Sequence, residues 1–167
     1  MDPKTIENLK DAFSGESQAH LKYQFFAEVA EKEGKPNIAR LFRAISYAEL
    51  VHAKNHFRAL GNLKKTVDHL TAAIAGETFE VEEMYPPYRD HAKAKGDKEA
   101  ERSTHWALEA EKIHAEMYKQ AKSAAEKGQD LELKSVYICP VCGYTEEGEQ
   151  TETCPVCGVK RSLYKKF

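Results

Sequence analysis

The chain has 167 residues, 41% hydrophobic and 31% charged, with a formal net charge of −2. That length allows one ordinary core plus a small appendage, and it excludes two full-sized cores. The near-neutral balance gives no electrostatic footing for nucleic acid or an anionic membrane, and no apolar run approaches the roughly 20 residues that span a bilayer. With the polar start Met1-Asp2-Pro3-Lys4, the expectation is a cytoplasmic protein acting on small molecules or other proteins.

Over residues 5–33, Leu9, Phe13, Glu16, His20, Tyr23, Ala27 and Ala30 recur at steps of three and four, one face of a helix that Gly34 and Pro36 end. A second stripe runs Ile38, Leu41, Ile45, Glu49, His52 and His56 and stops near Gly61, giving an antiparallel hairpin. Residues 62–76 form a connection too long for a tight turn, with room for a short helix over 67–75. Long crossovers of this kind characterise ferritin-like bundles. The third helix is expected over 77–95, with Phe79, Glu80, Glu83 and His91 on related faces and a kink at Pro86-Pro87. The fourth, over 97–127, carries Ala100, Thr104, Ala107, Glu111, His114, Tyr118 and Ala121. Beyond Lys127-Gly128-Gln129-Asp130 the period changes, and residues 133–138 alternate as a short strand does. The expected fold is therefore mainly α, a ferritin-like four-helix bundle over 1–130 followed by a small β domain over 131–167.

Most glutamates on these helices, such as Glu28, Glu31, Glu82 and Glu101, read as solvated surface residues. Glu16, Glu49, Glu80 and Glu111 lie instead on the stripes of their own helices. Packing the four helices by those stripes would gather four carboxylates in one interior, which is untenable unless cations neutralise them. Glu49/His52 and Glu111/His114 add an imidazole three residues after a glutamate, on the same face. One glutamate from each of two helices plus an ExxH pair from each of the other two is the ligand set of two-iron carboxylate bundles.

All four cysteines fall at the C-terminal end as Cys139-Pro140-Val141-Cys142-Gly143 and Cys154-Pro155-Val156-Cys157-Gly158. Each CxxC turn can present two thiolates to one tetrahedral ion, and in a reducing compartment such a cluster reads as a metal site before disulfides. The motif alone leaves a structural zinc ribbon and an iron centre equally open. Fusion to a two-iron bundle tips the balance, because iron carries electrons and zinc has no redox chemistry.

Nearly the whole chain resembles the rubrerythrin family. The resemblance is carried by Gly15-Glu16-Ser17-Gln18-Ala19, Ala48-Glu49-Leu50-Val51-His52, the run from Gly76-Glu77-Thr78-Phe79-Glu80 through Glu83-Met84-Tyr85-Pro86, Ala110-Glu111-Lys112-Ile113-His114, and the two cysteine knuckles. The resemblance implies a further glutamate ligand three residues after the one on the third helix, taken as Glu83. It implies two non-haem irons, one held by Glu16 and Glu83 with His52 nearby, the other by Glu80 and His114, with Glu49 and Glu111 bridging. Glu83 and His52 are expected to exchange as ligands when the site is reduced, and fewer anions suit the less positive ferrous pair. Tyr23 matches a family tyrosine beside the site; it either donates a hydrogen bond or proton there or simply satisfies its hydroxyl in the core. His20, His56 and His91 match no ligand position and are read as supporting or packing residues.

The implied activity is reduction of hydrogen peroxide to water, with electrons relayed through one iron bound by Cys139, Cys142, Cys154 and Cys157. The chain has no glycine-rich dinucleotide fingerprint. The expected donor is therefore a separate NAD(P)H-dependent reductase or a rubredoxin. The resemblance also implies a homodimer in which the tail of one subunit approaches the bundle of another. The competing reading is a ferritin-type protein that oxidises and handles ferrous iron, which gives the four-cysteine tail no task. A helical bundle bearing a zinc ribbon for partner contact requires the stripe carboxylates to be accidental.

Overall fold

A computed structural model describes residues 1–148 and 151–167. The chain is mainly α. Its helices are α1 (Pro3–Lys32), α2 (Pro36–Ala59), α3 (Thr66–Phe79), α4 (Tyr85–Lys95) and α5 (Lys98–Glu126), with a π-turn over Glu80–Met84 making α3 and α4 one long element. No helix is long and apolar enough to cross a membrane among the described residues. The chain forms two compact units, Met1–Lys64 and Lys65–Phe167.

In the first unit Asp2 caps α1, its carboxylate accepting from the amides of Lys4 at 3.0 Å and Thr5 at 3.1 Å. Gly34, at φ 71°, supplies the left-handed residue that ends the helix. The α1–α2 seam is built from small residues, with Phe42 packed against the buried Ala27, Ala30 and Ala39, and Ala53 buried as well. At its centre lies Ser46, wholly buried. Its hydroxyl donates to the His20 carbonyl at 2.9 Å and accepts from Gln24 Nε2 at 2.6 Å, while His20 Nδ1 donates to the Ser46 carbonyl at 2.9 Å. His20 thus ties the hairpin together. The seam runs one position over from the expected stripe on α2, because alanine and serine permit the closest approach. Ile38, Leu41 and Ile45 are consequently exposed, as are Leu21, Phe25 and Val29 on α1.

In the second unit α3 and α4 both pack on α5, which buries Leu108, Ala110 and Ala115. The short helix expected over 67–75 is present, begins at Thr66 and runs on to Phe79 instead of ending before the third helix, because Val67, Leu70 and Ile74 carry the helical stripe. The crossover is therefore largely helical. The expected distortion at Pro86-Pro87 takes the form of the π-turn just before them, closed by the Tyr85 amide donating to the Glu80 carbonyl. Two successive residues without N–H groups cannot continue the α ladder, and the wider turn absorbs the break.

The C-terminal sheet comprises β1 (Val136–Ile138), β2 (Thr145–Glu147) and β3 (Lys165–Lys166), antiparallel in the order β2-β1-β3 with Ile138 opposite Thr145. Trp106 of α5 packs against the buried cysteines. The tail is thus seated on α5 of its own chain.

Candidate metal centres

Each unit carries one group of carboxylates and an imidazole whose ligand atoms lie within 4.8 Å of one another. In the first, Glu16 projects from α1 and Glu49 and His52 from α2, one helical turn apart. His52 Nδ1 lies 3.0 Å from Glu49 Oε2 and 3.8 Å from Glu16 Oε1. A hydrogen bond with Glu49 holds the Glu16 carboxyl above its ordinary range, desolvation and the Glu49 charge add to this, and the nearby His52 and His56 partly oppose it. Carboxyls close enough to share a proton are equally placed to share a cation.

The second group is Glu77 from α3 with Glu111 and His114 from α5. Burial pushes Glu77 up to about 8, helped by its hydrogen bond with Glu111 and by the charges of Glu111 and Glu80. Glu80 is also raised, first by burial and then by the Glu111 charge, with His114 pulling the other way. Tyr85, at the end of the π-turn, is raised by burial and by the charges of Glu80, Glu111 and Glu77, so its phenol stays protonated. His114 Nδ1 lies 2.6 Å from Glu111 Oε2. Three half-buried carboxylates around one imidazole form a site that calls for positive charge.

Of the residues read from sequence, the structure brings together Glu16 with Glu49 and His52, and Glu111 with His114, with Glu80 beside the latter pair. Glu83 is exposed and belongs to neither group. Glu77, which the stripes do not single out, stands in the group with Glu111 and His114. The signal was available: Glu77 precedes Glu80 by three, the same spacing that favoured Glu80 and Glu83, so period alone cannot choose between the pairs. The π-turn decides. Beyond Glu80 each residue advances by less than the α-helical rotation, and Glu83 falls off the face that Glu77 and Glu80 share. The Tyr23 ring packs with Phe26 and Phe42, each at 6.1 Å between centroids.

Cys139, Cys142, Cys154 and Cys157 form the third group. Sγ–Sγ separations of 3.5 Å for Cys139–Cys157 and for Cys142–Cys154 are far beyond a disulfide bond and near the edge of a tetrahedron around one ion. Burial pushes the Cys142 and Cys157 thiols up. Burial also disfavours ionisation of Cys154, but the Tyr164 hydroxyl and the amides of Cys157 and Val156 outweigh it and lower that thiol to about 6.

The family model described as Rubrerythrin matches residues 7–122, and that of the rubrerythrin rubredoxin-like domain matches residues 137–165. The chain belongs to the rubrerythrin family. Among its relatives, Rubrerythrin-2 of Clostridium acetobutylicum is 44% identical, over 98% of this chain and 96% of that protein. Nigerythrin of Nitratidesulfovibrio vulgaris is 34% identical, over 92% and 81%. Solved structures of nigerythrin in mixed-valence and in fully reduced, all-ferrous states superpose with TM-scores of 0.56 and 0.57 at 31% identity, covering 98% of this chain and 86% of theirs. The rubrerythrin cofactors are two non-haem irons on carboxylate and imidazole ligands and one iron on four thiolates. The donor sets of this chain suit them: oxygen and imidazole donors around the helices, and soft thiolates in the tail.

Proposed function

We propose that this rubrerythrin is a peroxidase that reduces hydrogen peroxide to two waters, consuming two electrons and two protons, and protects a cytoplasmic host from oxidative stress. The observation that carries the reading is the pairing, in one chain, of glutamate–histidine groups with a four-cysteine centre seated on the helix that bears His114. The bundle residues, 1–130, form the peroxide-reducing part and residues 131–167 the electron-carrying part.

The proposed iron ligands are Glu16, Glu49 and His52 in the first unit and Glu77, Glu80, Glu111 and His114 in the second. Glu80 and Glu77 take the roles that the sequence reading gave to Glu83 and Glu80. Iron bound there supplies the electrons that cleave the O–O bond. Glu49 and Glu111, which the family resemblance marks as the shared carboxylates, would each offer a carboxylate to iron. His52, exposed beside Glu49, provides a neutral donor that can replace an anionic one when the site is reduced. Tyr85, held protonated by its acidic neighbours, can hydrogen-bond to substrate oxygen or to the carboxylate that has just lost a proton.

Electrons come from NAD(P)H through a separate reductase or a rubredoxin and enter at the cysteine centre. Replacing Cys142 with Ser then leaves peroxide reduction by prereduced protein intact in a single turnover and abolishes sustained turnover. Equal loss of both would contradict the route.

A further inference from the structure

His114 has both ring nitrogens engaged. Nδ1 faces Glu111 Oε2 at 2.6 Å, and Nε2 lies 2.7 Å from the hydroxyl of Thr145, the first residue of β2. Thr145 is 3% exposed, and its hydroxyl donates to the Gly143 carbonyl at 3.1 Å. A threonine hydroxyl has one hydrogen. With that hydrogen spent on Gly143, only lone pairs face the imidazole, and Nε2 carries the ring hydrogen and donates; the opposite tautomer, with Nδ1–H donating to Glu111, requires the hydroxyl to turn from Gly143 to Nε2. Nδ1 is then turned to Glu111 Oε2, and the pair is held together by a proton or by a metal ion that both ligate.

Resting on the two-iron reading above, we propose that Thr145 is a positioning residue that fixes the His114 tautomer, so that Nδ1 is the metal-binding atom. The rubredoxin-like tail thereby completes the site on α5. Gly143 follows Cys142 directly, and Thr145 pairs with Ile138, which precedes Cys139. The backbone that shapes the cysteine knuckle therefore also sets the height of the hydroxyl over the ring. Outer partners of ligating histidines act in this way, fixing the ring and raising its basicity, and their loss costs about 10–100-fold in metal affinity.

The test is imidazole ¹⁵N NMR on the full chain loaded with zinc, which is diamagnetic and fills both site types. In the wild type His114 is expected to show a bound Nδ1 and a hydrogen-bonded, slowly exchanging Nε2–H. T145V is expected to speed exchange of that hydrogen by at least about tenfold and to weaken zinc binding at the glutamate–histidine site by about 10–100-fold. T145S should restore both. The cysteine centre of T145V, followed by cobalt–thiolate absorption, should be unchanged, which separates lost positioning from a misfolded tail. Zinc bound through Nε2 in the wild type, or T145V with unaltered exchange and affinity, would overturn the proposal. Neither readout involves peroxide, so failure of the peroxidase reading would be seen separately.

Discussion

Burial, with the hydrogen bond to Glu111, pushes the Glu77 carboxyl up to about 8, so a metal must compete with its proton, and that competition is the most direct handle on the site. Metal binding needs the carboxylate form. Affinity at the Glu77–Glu111–His114 group should therefore rise with pH up to about 8 and level off above it. Equilibrium dialysis with ferrous iron under anaerobic conditions would measure this, and Glu77→Gln should flatten the profile. The metal-free protein should behave in the opposite sense. A carboxyl whose folded-state pKa is raised binds more protons folded than unfolded between the ordinary value of 4.5 and about 8, so its contribution to stability falls as pH rises through that window. The reassigned ligands give a second residue-scale prediction. Glu77→Gln should lower kcat/KM for peroxide by roughly 100-fold or more, since a ligand is lost rather than its support, while exposed Glu83→Gln should leave it within about twofold.

At the scale of elements, the α1–α2 hairpin depends on one polar knot inside a seam of alanines. Ser46→Ala keeps the bond from His20 Nδ1 to the backbone carbonyl but leaves Gln24 Nε2 and the His20 carbonyl without the buried hydroxyl, a cost of about 1–3 kcal/mol that urea unfolding should register without a change in m. Much of this level was legible beforehand. Glu16, Glu49/His52 and Glu111/His114 were readable because carboxylates on an otherwise apolar stripe contradict its period, and the cysteine knuckles because their spacing is that of a tetrahedral site. Less was legible where two registers fit the same pattern. Small residues moved the α2 seam one position from Ile38, Leu41 and Ile45, since closeness of approach, not hydrophobicity, chose the contact face. Glu77 was missed because the helix was expected to begin there, and a glutamate in a first turn has an ordinary explanation as a partner of the helix dipole. The π-turn that takes Glu83 off the face leaves no mark in a stripe analysis that assumes one constant rotation per residue.

At the scale of the whole molecule, the first unit exposes six large apolar side chains, Leu21, Phe25 and Val29 on α1 and Ile38, Leu41 and Ile45 on α2. This favours the homodimer that the family resemblance implies. Light scattering on the purified chain should give twice the monomer mass, and charged substitutions at Phe25 and Leu41 should weaken association. The tail is small and its core consists largely of cysteines, so stripping its metal should unfold residues 131–167 while the helices persist. Loss of the strand signals with retained helical dichroism would register that selectivity.

The central claim, that electrons pass from the cysteine iron through the two-iron site to peroxide, is tested most directly by visible spectroscopy. Hydrogen peroxide is added to anaerobically reduced, iron-loaded protein. Rapid growth of both oxo-bridged diferric and ferric-tetrathiolate bands is the predicted result. No oxidation by peroxide, with iron verified at both kinds of site, would contradict the account and favour iron handling of the ferritin type.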